Sequence, residues 1–209
     1  MYGIINYEMF LLTGILLNLI PGADTMYIVG RSISQGKRAG VYSVFGIITG
    51  SLVHTLLVSF GLSIILTKSI VLFNTIKIIG VIYLVYLGIK MILDKSNLVF
   101  EASSNKLNLR KIYIQRLLTS LTNPKVSLFF IAFLPQFIDV KASGPIPFLI
   151  LGLTFTATGL LWCLFVAHCS SYVTKKLRGN QKVGLVSNKI TGIIFICMGL
   201  KLLQTKAPL

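Results

Sequence analysis

The sequence predicts an all-α integral membrane protein whose six transmembrane helices form a 3+3 inverted repeat, with the first and fourth helices broken. Hydrophobic residues make up 55% of the chain and charged residues only 12%, whereas charged residues make up about 25% of an average soluble domain. Basic residues cluster after alternate apolar stretches, and the two halves carry similar motifs in the same order. These three observations predict the fold class, the orientation and the repeat.

Six apolar stretches reach the length of about 20 residues that a spanning helix needs. They lie near residues 4–30, 41–66, 69–93, 117–138, 146–173 and 184–204. Because they use most of the chain, we interpret residues 1–209 as one transmembrane domain. A polar segment, 94–111, joins the repeat halves 1–93 and 112–209. It is either an amphipathic helix on the cytoplasmic membrane surface or a mobile linker.

The two halves resemble each other in the order of their helix-breaking and glycine motifs. The corresponding motifs are Pro21-Gly22 and Asn123-Pro124, Gly46 with Gly50 and Gly152 with Gly159, and Leu87-Gly88-Ile89-Lys90 and Met198-Gly199-Leu200-Lys201. With three spans per half, the second copy must enter the membrane from the opposite face. Inverted repeats of this kind are common in secondary transporters, where the binding site lies between the two copies.

The net charge of +15 is interpreted as a topology signal, because its residues cluster after the first, third and fifth stretches. The clusters contain Arg31, Lys37 and Arg38; Lys95, Lys106, Arg110, Lys111 and Arg116; and Lys175, Lys176, Arg178 and Lys182. The positive-inside rule places these loops in the cytoplasm and both termini outside. We therefore expect the lipid bilayer, and no nucleic acid, as a partner.

The first stretch contains an acid, Asp24, directly after a predicted helix break. A carboxylate at membrane depth costs roughly 2.5 kcal/mol or more, so a chain that keeps one commonly uses it for transport or proton transfer. Pro21 removes a backbone donor and clashes with the preceding turn, and Gly22 allows close backbone approach. The restarted helix would point its positive N-terminal end at a ligand. The alternatives are a kinked packing helix and a structural acid.

Thr25 follows Asp24 and offers a hydroxyl that could help to bind the same ligand. Threonine hydroxyls also commonly bond to the helix backbone in membranes, so both roles stay open for this residue.

A second helix start is predicted inside the fourth stretch. Asn123 suits the N-cap position and Pro124 the first helical position, and both lie several residues inside the membrane boundary marked by Arg116. Lys125 either reaches back to the cytoplasmic interface or stays buried. If it stays buried, Asp24 is its natural partner, because unpaired buried charges are costly. Such a pair would suit a zwitterion, with acid to ammonium and ammonium to carboxylate.

The second stretch carries Gly46, Gly50 and His54 at a spacing of four residues. The glycines predict close helix packing. His54 could relay protons near neutral pH or be a hydrogen-bonded structural residue. The cysteines lack paired spacing, and no catalytic or nucleotide-binding motif occurs in the sequence. We therefore predict no enzyme activity, no cofactor and no metal site.

Together the motifs resemble the lysine exporter superfamily, specifically its homoserine/threonine (RhtB-type) amino-acid exporters. The motifs are Pro21-Gly22-Ala23-Asp24-Thr25, Gly36-Lys37-Arg38-Ala39-Gly40, Gly46 with Gly50 and His54, Tyr83-Leu84-x-Tyr86-Leu87-Gly88, Asn123-Pro124-Lys125 and Pro135-Gln136-Phe137. The resemblance covers the whole chain. The family usually has Pro-Gly-Pro-Asp at the first motif, and Ala23 replaces its second proline here.

The resemblance implies a secondary transporter in the bacterial inner membrane that exports amino acids from the cytoplasm, with protons as the coupling ion. Family members handle basic, hydroxylated and branched amino acids, and we expect homoserine, threonine or a related neutral amino acid rather than a basic one. We hypothesise that Asp24 binds the substrate ammonium or the coupling proton. The two helix breaks would bind the carboxylate, with Lys125 assisting.

The main alternative is a metal or small-cation exporter of the same superfamily, which would need several converging acids, histidines or cysteines. A membrane-embedded enzyme would need a nucleophile or an acid–base pair, for which Asp24 and His54 are the candidates. A structural subunit would leave the burial of Asp24 unexplained. The glycine-rich faces suit packing within the chain or within a homo-oligomer, and the sequence does not choose between them.

Overall fold

The computed structural model describes residues 3–19, 23–68, 70–93, 108–122, 124–139 and 144–170, together with separate positions between 186 and 203. These residues confirm the all-helical fold class. Their helices are α1 Tyr7–Leu19, α2 Ala23–Gln35, α3 Lys37–Lys68, α4 Ile70–Leu93, α5 Leu109–Leu121, α6 Pro124–Phe133 and α7 Ile146–His168, with a 3-10 helix at Leu134–Phe137. The described positions between 186 and 203 are also helical.

The first predicted span is divided into two helices, as expected. α1 ends at Leu19 and α2 begins at Ala23, and the two helices are bent by 44° relative to each other. Pro21 and Gly22 lie in the gap, outside the described residues. The position of the gap agrees with a proline that cannot continue the preceding helix.

The fourth predicted span is divided as well. α5 ends at Leu121, Thr122 follows as its C-cap, and α6 begins at Pro124. Proline suits this first helical position because its missing N–H would have no intrahelical partner there. Asn123, the predicted N-cap, lies outside the described residues.

α5 extends further back than the predicted fourth span. It begins at Leu109, where the Asn108 side chain accepts a hydrogen bond from the Lys111 backbone N–H at 2.9 Å. Its buried positions are Ile112, Arg116 and Ser120, which share one helical face at a spacing of four. Arg116, placed by the sequence at the membrane boundary, therefore lies within a packed helix.

Two described helical segments, Lys37–Gly61 and Ile146–His168, are each long and apolar enough to cross a membrane. The bent pair of α1 and α2 would be a third span if it crosses as one unit. These segments match the second, fifth and first predicted spans. The complete six-span inverted repeat stays a prediction.

Two apolar clusters hold the helices together. One contains the rings of Phe10, Phe133 and Phe137, whose centroids are 5.0–5.4 Å apart, and it joins α1 to α6 and the 3-10 helix. The other contains Ile28 and Val29 of α2, together with Val44 of α3 and Val166 of α7. The second cluster fixes the position of α2 and therefore of its first turn, which carries Asp24.

Gly46 allows α5 to approach α3 closely. A Cβ atom at this position would lie 2.7 Å from the Tyr113 carbonyl oxygen and 2.9 Å from the Arg116 Cβ. Gly50, one turn further on, faces the Ser120 side chain. The predicted packing role of these glycines is thus confirmed, and their partner is the helix that carries Arg116.

Gly46→Ala is expected to lower the stability of the protein, because the added methyl group contacts backbone that cannot move without shifting α5. Overpacking of this kind costs about 1–3 kcal/mol. The measurement is the midpoint of thermal unfolding in detergent. Gly61→Ala is the matched control in the same helix, since nothing lies within 4 Å of its Cβ position. Equal losses in both variants would contradict the close α3–α5 contact.

Candidate functional site

The candidate site is centred on Asp24, in the first turn of α2. The partial positive charge of a helix N-terminus stabilises an acid at this position. The Asp24 side chain is 48% exposed and forms a salt bridge through Oδ1 with Nη2 of Arg116, whose side chain is 10% exposed. The structure thus pairs the acid beside the first helix break with a cation on α5, just before the second break.

A tyrosine lies beside this salt bridge and contacts two cations. The Arg116 guanidinium carbon is 4.6 Å from the Tyr27 ring centroid, and that of Arg31 is 5.1 Å away. Tyr27 follows Asp24 by three residues, so the two side chains lie on neighbouring parts of one α2 face. The electron-rich ring face attracts both guanidinium groups.

The described site contains more cationic than anionic side chains, and three of its hydrogen-bond donors have no acceptor. Two guanidinium groups, Arg31 and Arg116, contact the Tyr27 ring, and one of them, Arg116, forms the salt bridge with Asp24. Nε of Arg31, Nε of Arg116 and the Tyr27 hydroxyl are buried without a hydrogen-bond partner. Buried polar groups without a hydrogen-bond partner are rare in proteins, and each calls for an explanation. The arrangement is suited to an additional anionic acceptor.

Arg31 is held differently from Arg116. Its Nη1 donates to Gln35 Oε1 at 2.9 Å and its Nη2 donates to Gln115 Oε1 at 3.4 Å. Arg31 therefore connects the end of α2 to α5, whereas Arg116 reaches the beginning of α2.

Five of the predicted site residues are described incompletely or not at all. Pro21, Gly22 and Asn123 lie outside the described residues. Pro124 and Lys125 begin α6, but their side chains are also outside the description. Pairing of Lys125 with Asp24 stays a prediction, and the ion partner that the structure gives to Asp24 is Arg116.

Thr25 and His54 are both buried. His54 Nε2 lies 3.1 Å from the Ser120 carbonyl oxygen, and because a carbonyl only accepts, this nitrogen carries the proton. The imidazole centroid is 6.0 Å from that of the Phe130 ring. His54 therefore holds the last turn of α5 against α3, which is the structural role considered for it. A proton-relay role stays a prediction.

The sequence patterns do not assign Arg116 or Tyr27 to the site. The clustering of basic residues groups Arg116 with a cytoplasmic loop, and none of the motifs includes Tyr27. Gly46 and Gly50 are a signal of close helix packing, but their spacing does not identify α5 as the partner helix.

Among the residues with described positions, no group of three or more His, Cys, Asp or Glu side chains is arranged to hold a metal ion. The candidate site is instead built from one acid, two guanidinium groups and a phenol.

Comparison with known proteins places this site in a transporter family. The family described as "LysE type translocator" matches residues 15–206, a range that includes every residue of the site. The chain belongs to the LysE-type translocator family. The resemblance to the lysine exporter superfamily is thereby confirmed, and the protein is a membrane protein of a translocator family.

Relatives in this family match almost the whole chain. An uncharacterized membrane protein, YrhP, from Bacillus subtilis is 35% identical over 88% of this chain and 91% of its own length. The leucine efflux protein of Klebsiella pneumoniae is 31% identical over 93% of each chain. That of Salmonella typhimurium is 29% identical over the same shares. No solved structure matches the chain.

Tyr27→Leu is expected to destabilise this LysE-type protein, because it removes the ring over which both guanidinium groups lie. Loss of such contacts costs about 0.5–2 kcal/mol. Tyr27→Phe keeps the ring and removes only a hydroxyl without a hydrogen-bond partner, so its stability should equal or exceed that of the wild type. Thermal unfolding of the purified protein compares the two variants. Equal destabilisation by Leu and Phe would argue against the cation–π contacts.

Proposed function

We propose that the protein exports neutral amino acids of the leucine type from the cytoplasm across the bacterial inner membrane, in exchange for protons. Its membership of the LysE-type family and its relatives named leucine efflux protein support this substrate class. The sequence motifs favour homoserine, threonine or a related neutral amino acid. A site selective for homoserine or threonine would need a partner for the side-chain hydroxyl, and the relatives' names favour an apolar side chain instead.

The observation that carries the proposal is the half-exposed carboxylate of Asp24 at the helix break. In its ionised form this carboxylate binds the substrate ammonium. In its protonated form it carries the coupling proton and no longer attracts the ammonium. The substrate ammonium and the proton compete for the Asp24 carboxylate. The carrier therefore returns with a proton after it releases the amino acid. This competition gives the exchange without a second ion site.

The helix breaks provide further ligands for the substrate. α2 and α6 both begin inside predicted spans, and the first turn of a helix presents unpaired backbone N–H groups. In secondary transporters, such half-helix N-termini commonly point at anionic substrate groups. We assign the same role to the breaks at Pro21-Gly22 and Asn123-Pro124, with Thr25 and Lys125 beside them.

Two matching helix contacts support the inverted repeat. Between α1 and α7 the facing positions are Gly14 with Phe155 and Asn18 with Gly159. Between α3 and α5 they are Gly46 with Arg116 and Gly50 with Ser120. In both pairs the helices run parallel, and the contacts recur one turn apart. In the predicted repeat, the first span corresponds to the fourth and the second span to the fifth. The contact between the first and fifth spans then corresponds to the contact between the fourth and second spans. Rocking of one such half against the other would give alternating access.

The expected orientation puts the site nearer the cytoplasm. Arg31 lies seven residues after Asp24, a distance of about 10 Å along a helix at 1.5 Å per residue. The positive-inside rule places Arg31, Lys37 and Arg38 on the cytoplasmic side. An exporter loads its substrate from that side, and both termini are then outside.

Asp24→Asn is expected to reduce leucine transport about tenfold or more, because charge-assisted hydrogen bonds contribute about 1.5–3 kcal/mol and each 1.4 kcal/mol is a factor of ten. The measurement is uptake of radiolabelled leucine by everted membrane vesicles under a proton gradient. Glu8→Gln is the matched control, since Glu8 is an exposed acid in the first turn of α1. If Asp24→Asn inserts at normal levels and transports at the wild-type rate, the proposed role of Asp24 is wrong.

A further inference from the structure

We propose that Arg116 binds the substrate's α-carboxylate, so that Asp24 and Arg116 together form a two-ended site for an α-amino-acid zwitterion. This inference rests on the proposed function and names a second residue of the same site. It starts from the salt bridge that joins the two side chains.

The first argument is the unused binding capacity of Arg116. Its side chain is nine-tenths buried, its Nη2 contacts Asp24, and its Nε has no hydrogen-bond partner. A guanidinium group presents a planar fork of donors that matches the two oxygens of a carboxylate. The Tyr27 hydroxyl, which is also buried and without a partner, adds a donor close to the same group.

The second argument is the adjacency of opposite charges. The ammonium and carboxylate of an α-amino acid are attached to one carbon, so their two protein ligands must also be neighbours. Asp24 and Arg116 meet this condition by direct contact. Arg31 does so less well, because its terminal nitrogens donate to Gln35 and Gln115.

Substrate binding then replaces one ion pair with two. The ammonium takes the place of Arg116 on Asp24, and the carboxylate takes the place of Asp24 on Arg116. An amine without a carboxylate would leave the buried guanidinium without a partner, and a carboxylate without an amine would leave the acid without one. A buried guanidinium left unpaired is strongly unfavourable, and an uncompensated Asp24 carboxylate would repel a ligand carboxylate beside it, so the site selects zwitterions.

The same exchange connects loading to movement of the protein. The salt bridge ties the beginning of α2 to α5, which the predicted repeat assigns to opposite halves. In the loaded site the substrate lies between the two side chains, and the direct bond is absent. A ligand shifts a conformational equilibrium only through such differential interactions, and here the differential interaction is this bond.

The test is inhibition of radiolabelled leucine transport in proteoliposomes by unlabelled leucine, leucinamide and 4-methylpentanoate. The two analogues lack the carboxylate and the amine, respectively. Wild-type protein should be inhibited by leucine and at least tenfold less strongly by either analogue. In Arg116→Gln, leucine should lose at least tenfold in apparent affinity while leucinamide loses little. An unchanged preference for leucine over leucinamide in this variant would overturn the assignment.

Two further variants keep the test decisive if Arg116→Gln does not fold. Arg116→Lys retains the charge but not the fork, and its preference for leucine over leucinamide should fall severalfold. The double variant Asp24→Arg with Arg116→Asp retains an ion pair but reverses its direction. It should fold and transport leucine at least tenfold more slowly, because a reversed zwitterion points its side chain the opposite way. Wild-type transport by the double variant would show that the pair is only structural.

These outcomes are separate from a failure of the proposed function. Wild-type proteoliposomes that transport no leucine would refute leucine export itself. Wild-type proteoliposomes that transport leucine, with the same leucine preference in Arg116→Gln, would refute only the role of Arg116.

Discussion

A buried guanidinium group needs a counter-charge, and the salt bridge of Arg116 with Asp24 supplies it. Removing either partner from such a pair leaves the other uncompensated, which costs several kcal/mol when the remaining charge is fully buried. The pair therefore fixes where the start of α2 lies relative to α5. It also places one carboxylate and one cation side by side.

The packing around α3 makes this salt bridge possible. Gly46 and Gly50 bring α5 against α3, and the apolar cluster of Ile28 with Val44 holds α2 on the same helix. α3 is thus the common support for both charged side chains. A bulkier residue at position 46 would displace α5, and Arg116 with it.

Much of the backbone followed from local chemistry. Proline interrupts a helix wherever it occurs in the interior, so both helix breaks could be located from Pro21 and Pro124. The importance of Asp24 followed from the cost of an acid in an apolar stretch. Its ion partner did not follow. Arg116 is a basic residue at the sequence position of a cytoplasmic loop. It is buried because α5 packs against α3.

The sequence by itself therefore determined the helical class, the two breaks, the family and the acid at the first break. These properties depend on side-chain type, proline geometry and hydrophobic length, which act over a few neighbouring residues. The tertiary structure decided that Asp24 meets Arg116, that Tyr27 lies beside both arginines, and that His54 bonds to the Ser120 carbonyl. Those pairings depend on distances between segments far apart in the chain, and helix packing sets such distances.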